Sequence, residues 1–244
     1  LTGPLVCGAS QVVNDWYDRD VDALNEPHRP IPSGRVPGNT ALWFAMAWTL
    51  VAQTWAMMLG TWVAAATFIG LILAWAYSAP PLRLKLNGWW GNSAVALSYE
   101  GLAWVTGAAI VLGGALPSAP ILIIALLYSI GAHGIMTLND FKSVEGDLKL
   151  GIRSLPAQLG RERAATVACA FMLFPQLVVI ALLVIWQLNL SAGIVAIVVV
   201  AQLLCMKRLL SDPKRLAPWY NATGVSLYVL GMMSAALGLG GWLA

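Results

Sequence analysis

Two runs of acidic residues have the composition of a site for a metal ion and a phosphate. Residues 14–22 read NDWYDRDVD and residues 139–147 read NDFKSVEGD, and each run follows an apolar stretch. If the helix continues through the first run, Asp15, Asp18 and Asp22 lie on one stripe. Carboxylates on one stripe repel one another unless cations neutralise them. Oxygen-rich clusters of this kind suit Mg²⁺, which proteins hold with a few carboxylates together with substrate phosphates.

Each run is followed by an arginine, a proline and a glycine before the next apolar stretch, in RPIPSG at 29–34 and RSLPAQLG at 153–160. Basic side chains near the carboxylates would bind phosphate oxygens. The combination predicts a membrane enzyme that acts on a diphosphate with a lipid-soluble tail. The alternative is a pair of ordinary solvated loops in which acids merely balance bases.

The composition places both runs in a polytopic membrane protein. Of the 244 residues, 59% are hydrophobic and 10% are charged, whereas soluble domains carry about 25% charged residues. The mean hydropathy is +0.74. The net charge of +3 is too small to indicate nucleic-acid binding. The three cysteines lie far apart in apolar stretches, which argues against a disulfide framework or a cysteine metal site.

Seven windows are long and apolar enough, or nearly so, to span a membrane, which takes about 20 residues. They are 39–58, 62–78, 92–112, 120–138, 164–186, 192–206 and 219–243. Residues 1–13 form a shorter eighth segment. We interpret this segment as the end of a helix whose beginning is missing, so that 1–244 is one transmembrane domain, truncated at its N-terminus.

All 14 lysines and arginines lie in four connections between these windows, at 14–38, 79–91, 139–163 and 207–218. The positive-inside rule assigns these connections to the cytoplasm. Ten of the 11 acidic residues follow the same pattern, and the exception is Glu100, inside a span. Four spans separate the two acidic runs. A repeat of four helices about an axis along the membrane normal would bring both runs to the same side of one cavity.

Three strings resemble the intramembrane prenyltransferases of the UbiA superfamily. Residues 14–22 match NDxxDxxxD, the first aspartate-rich motif of that superfamily, and RPIPSG matches the segment that follows it. The strings NDWYDRDVDALNEPHRPIPSGR, YSAPPLRLKLNGWWGN and NDFKSVEGDLKLGIRSLPAQLG resemble its chlorophyll synthase branch, most of all the bacteriochlorophyll synthases. Ser143 departs from the many members with aspartate there. The chlorophyll synthase branch has the sequence NDFKS at this place, so the identity of the metal ligands cannot be transferred from quinone-pathway relatives.

The resemblance implies an all-α bundle of nine transmembrane helices around a central cavity, of which about eight would be wholly or partly present here. It implies esterification of the propionate carboxyl of bacteriochlorophyllide a with geranylgeranyl or phytyl diphosphate, with release of diphosphate and with Mg²⁺ as cofactor. The implied location is the inner or intracytoplasmic membrane of a photosynthetic bacterium, among membrane lipid.

Cleavage of an allylic C–O bond develops negative charge on the diphosphate, which a metal and basic groups would stabilise. Of the metal-ligand candidates, Asp15, Asp18 and Asp140 are expected to be essential for catalysis. The full set of metal-ligand candidates is Asn14, Asp15, Asp18, Asp22, Asn139, Asp140, Glu145 and Asp147. The diphosphate-binding candidates are Arg29, Arg83, Lys85, Lys142 and Arg153.

Three further residues are candidates for the acceptor site or the cavity. Tyr77 could stabilise the allylic cation through a cation–π contact, or it could simply pack. Glu100 is an ionisable group inside a span, which is costly and often functional; it could contact the acceptor, or be a buried glutamate hydrogen-bonded to a neighbouring helix. His133 could ligate the Mg²⁺ of the pigment, or be a hydrogen-bonded packing histidine.

Three other functions remain open at this point. A chlorophyll synthase, or a quinone-pathway enzyme that alkylates an aromatic carbon, would use the same diphosphate machinery, although NDFKSVEGD and YSAPPLRLK argue against the quinone-pathway enzyme. A pigment-binding membrane protein would use the acidic residues only for ion association. Mg²⁺-dependent release of diphosphate distinguishes an enzyme from such a binding protein.

Overall fold

The computed structural model describes residues 2–240, and every regular element among them is helical. The α-helices are α1 Thr2–Tyr17, α2 Arg19–Asn25, α3 Thr40–Leu59, α4 Thr61–Ser78, α5 Gly88–Ala96, α6 Ala103–Val111, α7 Ala119–Asn139, α8 Val144–Leu150, α9 Leu155–Leu159, α10 Arg161–Ile185, α11 Asn189–Leu209 and α12 Pro213–Leu239. A π-helical segment, Leu97–Leu102, joins α5 to α6. Two 3₁₀ turns lie at Leu84–Leu86 and Asp140–Lys142.

Seven helices of the described chain are long and apolar enough to cross a membrane, which confirms the predicted all-α, polytopic fold. They are α3, α4, the continuous stretch Gly88–Val111, α7 with its 3₁₀ turn, α10, α11 and α12. Most helices extend beyond the predicted windows. The last one begins at Pro213 rather than at 219, and residues 241–243 of that window lie outside the described residues. A hydropathy window detects only the apolar core, whereas the helix continues into the interface, where its charged ends are solvated.

Contacts divide the chain into two units, of which the first contains residues 2–85 and 105–116. Here α1 packs against α3 and α4. Ala9, Ala52 and Leu71 form one buried cluster. Small residues let helices approach closely in a membrane, where the hydrophobic effect does not drive helices together. The Trp48 indole N–H donates to the Leu5 carbonyl at 3.0 Å, and this bond also joins α3 to α1.

Two glycines bring the short uncharged connections of the first unit together. Gly60, between α3 and α4, has φ +123°, and Gly114, after α6, has φ +90°. A Cβ added at Gly60 would collide with the Cα of Gly114. The predicted short connections near Gly60 and at 113–119 therefore meet at the same end of this unit, as the alternation of charged and uncharged connections requires.

The second unit contains residues 86–104 and 117–240. Its most buried helix is α7, which packs against α5, α10 and α12. The Tyr228 hydroxyl donates to the Tyr128 carbonyl at 2.7 Å and so joins α12 to α7. The side-chain amides of Gln176 and Gln202 form two reciprocal hydrogen bonds of 3.1 Å between α10 and α11. Such pairing satisfies polar groups that have no water to bind at this depth.

Candidate functional site

The first acidic run belongs to the first unit and is helical almost throughout. Helix α1 ends at Tyr17 and α2 begins at Arg19, so that only Asp18 interrupts them. The amide of Asp18 donates to the Asn14 carbonyl at 2.9 Å, and the amide of Asp22 donates to the Asp18 carbonyl at 2.8 Å. These bonds carry the helical pattern across the interruption. The stripe of carboxylates expected from the spacing is therefore formed.

Arg29 neutralises most of this stripe. Its Nη1 lies 3.0 Å from Asp22 Oδ2 and 3.5 Å from Asp15 Oδ1, and its Nε bonds the carboxylate of Glu26. The pKa of Asp15 is raised, chiefly by burial; Arg29 opposes this effect, and the neighbouring carboxylates add to it. One guanidinium with several donors in a planar fork can serve three carboxylates in this way.

Lys85 neutralises the remaining carboxylate of the stripe. Its ammonium bonds Asp18 Oδ1, and Arg83 Nη2 lies 3.9 Å from the same oxygen. The Lys85 side chain is only 11% exposed, and burial lowers its pKa although the bond to Asp18 works in the other direction. Arg83 has φ +39°, a region that a residue with a Cβ rarely adopts. Strain of this kind concentrates at functional sites.

Asn14 links the first run to the end of α4. Its side-chain amide donates to Asp18 Oδ2 and to Ser78 Oγ, both at 3.1 Å. The preceding residue, Tyr77, is half-buried. The candidate aromatic residue therefore lies on the same helical turn as a side chain that bonds the acidic run.

The second acidic run belongs to the second unit and begins where α7 ends. Asn92 Nδ2 donates to Asp140 Oδ2 at 3.0 Å and to Thr137 Oγ1 at 3.4 Å. Asn139 Oδ1 accepts a hydrogen bond of 2.8 Å from Asn221 Nδ2, on α12. Neutral amides, rather than cations, thus position the Asn-Asp pair of this run.

Asp147 is buried and is also held by neutral donors. The hydroxyls of Ser143 and Ser154 donate to its Oδ2 at 3.1 and 2.6 Å. Ser143 is the residue that departs from the aspartate common in the superfamily. A hydroxyl there can donate to Asp147, whereas a second carboxylate would repel it.

Glu145 has different partners from the other acidic residues of this run. Its carboxylate lies 3.2 Å from Lys214 Nζ and 3.6 Å from an Arg161 guanidinium nitrogen. The hydrogen bond from Lys214 is the main reason why the pKa of Glu145 is lowered. This exposed ion pair joins α8 to α12 and favours a structural role.

Two cations of the second unit face solvent. The main chain of Arg153 pairs with the segment before α5, since its amide donates to Leu86 O at 2.9 Å and Gly88 N donates to Arg153 O at 2.8 Å. The side chains of Arg153 and Lys142 are exposed, and neither forms an ion pair with the described residues. They remain able to bind an anion.

His133 is buried between aromatic side chains. It is 3% exposed and lies between Trp89 and Phe171, with ring centroids 5.8 and 4.4 Å away. Neither ring nitrogen has a partner in good hydrogen-bond geometry within residues 2–240, although the Trp89 main chain is close enough to interact. Packing and ligation of the pigment Mg²⁺ both stay predictions for this residue.

The donor chemistry of both runs fits a hard divalent cation, because all the candidate ligands are carboxylate or amide oxygens. The structure does not preassemble a cage: no group of three or more histidine, cysteine, aspartate or glutamate residues within 2–240 is arranged to hold a metal. Mg²⁺ is commonly held by one or two carboxylates plus substrate phosphates, so such a cage is not required.

Several polar partners of the acidic runs are evident only from the structure. Their position in the sequence could have indicated some of them, because a polar side chain inside an apolar span is costly and usually has a polar partner or a function. Asn92 and Ser78 both lie in such spans. These partners are Glu26, Ser78, Asn92, Ser154, Lys214 and Asn221.

Comparisons with known proteins agree with the fold. The model of the UbiA prenyltransferase family matches residues 1–230. The bacteriochlorophyll synthase 33 kDa chain of Cereibacter sphaeroides is 57% identical over 241 residues, which cover 99% of this chain and 80% of that protein. A solved structure from work on digeranylgeranylglyceryl phosphate synthase in membranes has a TM-score of 0.78 at 22% identity and covers 96% of this chain and 81% of its own. A UbiA homolog from Archaeoglobus fulgidus bound to Cd²⁺ has a TM-score of 0.67 at 19% identity, with coverage of 96% and 86%.

Proposed function

Because the chain belongs to the UbiA prenyltransferase family, we propose that it esterifies the propionate carboxyl of bacteriochlorophyllide a with geranylgeranyl or phytyl diphosphate and releases diphosphate. The observation that carries this proposal is the 57% identity, over 99% of the chain, with a bacteriochlorophyll synthase chain. The acceptor is therefore a carboxylate rather than the aromatic carbon of a quinone precursor.

The charge balance of the first acidic cluster supports a role in diphosphate binding. Four carboxylates, those of Asp15, Asp18, Asp22 and Glu26, are paired with the cations Arg29, Arg83 and Lys85. A diphosphate that approached this cluster without a metal would meet a net negative charge. The three cations can turn to the phosphate oxygens only if another positive charge neutralises the carboxylates.

We propose that this additional charge is Mg²⁺, which would stabilise the negative charge that develops on the leaving diphosphate. In the first unit its ligands would be Asp15, Asp18 and Asp22, with Asn14. In the second unit they would be Asn139, Asp140 and Asp147, where no cation is paired with the aspartates. The solved relative that binds Cd²⁺ supports a divalent cation but does not identify it.

The remaining residues bind and protect the reacting groups. Arg29, Arg83 and Lys85 would hold diphosphate oxygens, and the exposed side chains of Lys142 and Arg153 would do so in the second unit. Tyr77 would present a π surface to the allylic cation. The propionate is already ionised at neutral pH and attacks directly, so this reaction needs no general base.

The test uses the full-length protein in membranes with Mg²⁺ and geranylgeranyl diphosphate. The acceptors are bacteriochlorophyllide a, chlorophyllide a and 4-hydroxybenzoate. We expect esterified bacteriochlorophyllide, and we expect its formation to be lost in Asp15→Ala and in Asp140→Ala. The matched control is Asp20→Ala, because this neighbouring carboxylate is 88% exposed and only approaches Arg19.

Each of the alternative outcomes of this assay would overturn a different part of the proposal. Prenylated hydroxybenzoate would overturn the acceptor and leave the diphosphate machinery standing. A preference for chlorophyllide would place the protein with the chlorophyll synthases. Full activity in both alanine variants would overturn the roles of the acidic runs, and equal loss in Asp20→Ala would show that the effect is a general one of charge.

We also propose that the charged ends of the spans face the cytoplasm. All 14 basic residues lie in the connections that the positive-inside rule places there. The test introduces Arg35→Cys or Leu116→Cys, both exposed positions, into a cysteine-free variant. A membrane-impermeant thiol reagent should label position 116 from the outside and position 35 only after lysis. The reverse pattern would overturn this orientation.

A further inference from the structure

Glu100 lies in the middle of the membrane-spanning stretch Gly88–Val111. The helix is π-helical at this point, from Leu97 to Leu102, and this is the one π-helical segment in the part of the chain that the structure describes. π-helical insertions inside α-helices occur frequently at functional sites. An ionisable residue inside a span is expensive, so it usually faces a partner or a cavity.

Glu100 forms no hydrogen bond or ion pair with any residue in 2–240, and no cation approaches it there. The Tyr228 phenol lies close enough to interact with the carboxyl. The Tyr228 hydroxyl already donates its proton to the Tyr128 carbonyl at 2.7 Å. Nothing in this neighbourhood supplies the positive charge that a carboxylate at this depth requires. A carboxyl that takes up a proton to avoid this cost becomes a hydrogen-bond donor.

Aromatic side chains surround this part of the second unit. Trp104, four residues after Glu100, packs against Tyr128 with ring centroids 5.8 Å apart, and Tyr128 packs edge-on against Tyr228 at 5.2 Å. The Tyr128 hydroxyl is buried and has no hydrogen-bond partner in the described structure. Tyr128 and Tyr228 are fully buried, whereas Trp104 is only half-buried and presents an aromatic surface about one helical turn from the half-buried Glu100. A carboxyl beside such a surface suits a flat conjugated ligand that carries a polar group at its edge.

The chemistry of the proposed reaction limits what Glu100 does. A charged carboxylate next to the attacking propionate would repel it, and no proton has to be removed from the acceptor. Resting on the proposed function, we propose that Glu100 is a specificity-determining residue whose carboxyl donates a hydrogen bond to a ketone carbonyl of the acceptor macrocycle. Bacteriochlorophyllide a has two conjugated ketones, in its acetyl group and in its fifth ring, and chlorophyllide a retains only the second.

The test is resonance Raman spectroscopy of pigment bound to the full-length protein, which reads the conjugated C=O stretching bands directly. We expect a carbonyl band at lower frequency in the wild type than in Glu100→Met, which removes the donor but keeps the side-chain length. Glu100→Gln, with a weaker donor, should give an intermediate band. In the esterification assay, the KM for the acceptor should rise about ten-fold in Glu100→Met, while the KM for the prenyl diphosphate stays unchanged.

The matched control is Gln53→Leu, which also replaces a polar side chain inside a span, in the first unit. It should leave both the carbonyl bands and the acceptor KM unchanged. A carbonyl band that differs between the wild type and Glu100→Met with bacteriochlorophyllide a alone would support the proposal and identify the acetyl group as the acceptor of the hydrogen bond. A difference with both pigments would support the proposal and identify the ketone of the fifth ring.

Unchanged bands in Glu100→Met overturn the proposal, and if that variant does not fold, an unchanged band in Glu100→Gln does the same. These failures differ from a failure of the proposed function, in which the wild type itself would bind no pigment or form no ester.

Discussion

Arg29 offers the most direct test of the first acidic cluster. Its guanidinium contacts Asp15, Asp22 and Glu26. Arg29→Gln would leave these carboxylates without that cation. Exposed ion pairs contribute about 0.2–1 kcal/mol each, and only Asp22, at 13% side-chain exposure, is nearly buried. We therefore expect Arg29→Gln to lower the free energy of unfolding by about 1–2 kcal/mol, which corresponds to a loss of about 2–8 °C in Tm at 2–4 °C per kcal/mol.

The same variant should bind Mg²⁺ differently. In the wild type a metal must displace Arg29 from the carboxylates, whereas in Arg29→Gln the carboxylates are free. A ligand stabilises the folded state in proportion to the logarithm of its concentration over Kd. Mg²⁺ should therefore raise the Tm of Arg29→Gln by more than it raises the Tm of the wild type. The KM for prenyl diphosphate should rise, because a phosphate-binding cation is lost.

The assay is thermal unfolding of the purified protein in detergent, with and without Mg²⁺. Arg35→Gln is the matched control: Arg35 is exposed and bonds the His28 carbonyl and the Ser33 hydroxyl rather than a carboxylate. It should change neither the Tm nor the response to Mg²⁺. An equal Mg²⁺ shift in wild type and Arg29→Gln would refute the view that the carboxylates held by Arg29 are those that bind the metal.

Three further predictions concern single groups. Burial raises the pKa of Asp15 above its ordinary 3.8, so the contribution of this carboxyl to folding stability is complete below pH 3.8 and is lost as the pH rises through the raised pKa. Asp15→Asn should therefore abolish turnover at neutral pH and leave the Tm equal to or higher than that of the wild type. A lower Tm in this variant would contradict the prediction. Gly60→Ala should cost more than about 1 kcal/mol because of its φ and the glycine that faces it, whereas Gly107→Ala, in open space, should not lower the Tm. Gln176→Leu should destabilise by about 1–3 kcal/mol by orphaning the Gln202 amide, and the double leucine variant should recover part of that loss in unfolding assays.

Much of the fold was predictable because a membrane leaves few choices. Backbone groups without water must bond internally, so apolar stretches of about 20 residues have to be helices. The π-helical segment at 97–102 was not predictable, since hydropathy indicates a span but does not report whether its backbone bonds follow the α or the π pattern. Helix starts set by a single side chain were also missed. Helix α5 begins at Gly88 because the Asn87 side chain accepts a bond of 3.0 Å from the Trp89 amide.

The site was predictable as a list of charged residues and not as a set of pairs. Spacing along one helix predicted the stripe of Asp15, Asp18 and Asp22. The partners that hold the runs come from distant positions: Ser78 bonds a residue 64 positions away, and Asn92 bonds one 48 positions away. Such pairs depend on how helices pack, which periodicity within one helix does not report.

The two acidic runs resemble each other in sequence, yet they are neutralised by different chemistry. Cations pair with the aspartates of the first run, whereas amides and hydroxyls hold Asp140 and Asp147 in the second. A run already paired with arginine and lysine can exchange those cations with a phosphate. Asp140 and Asp147, which are held by neutral donors, can attract a metal without first giving up a cation, whereas Glu145 of the same run is already paired with cations. The duplicated motif therefore supplies two unlike environments, and equivalent substitutions in the two runs should have unequal effects on the Mg²⁺ concentration required for activity, larger in the second.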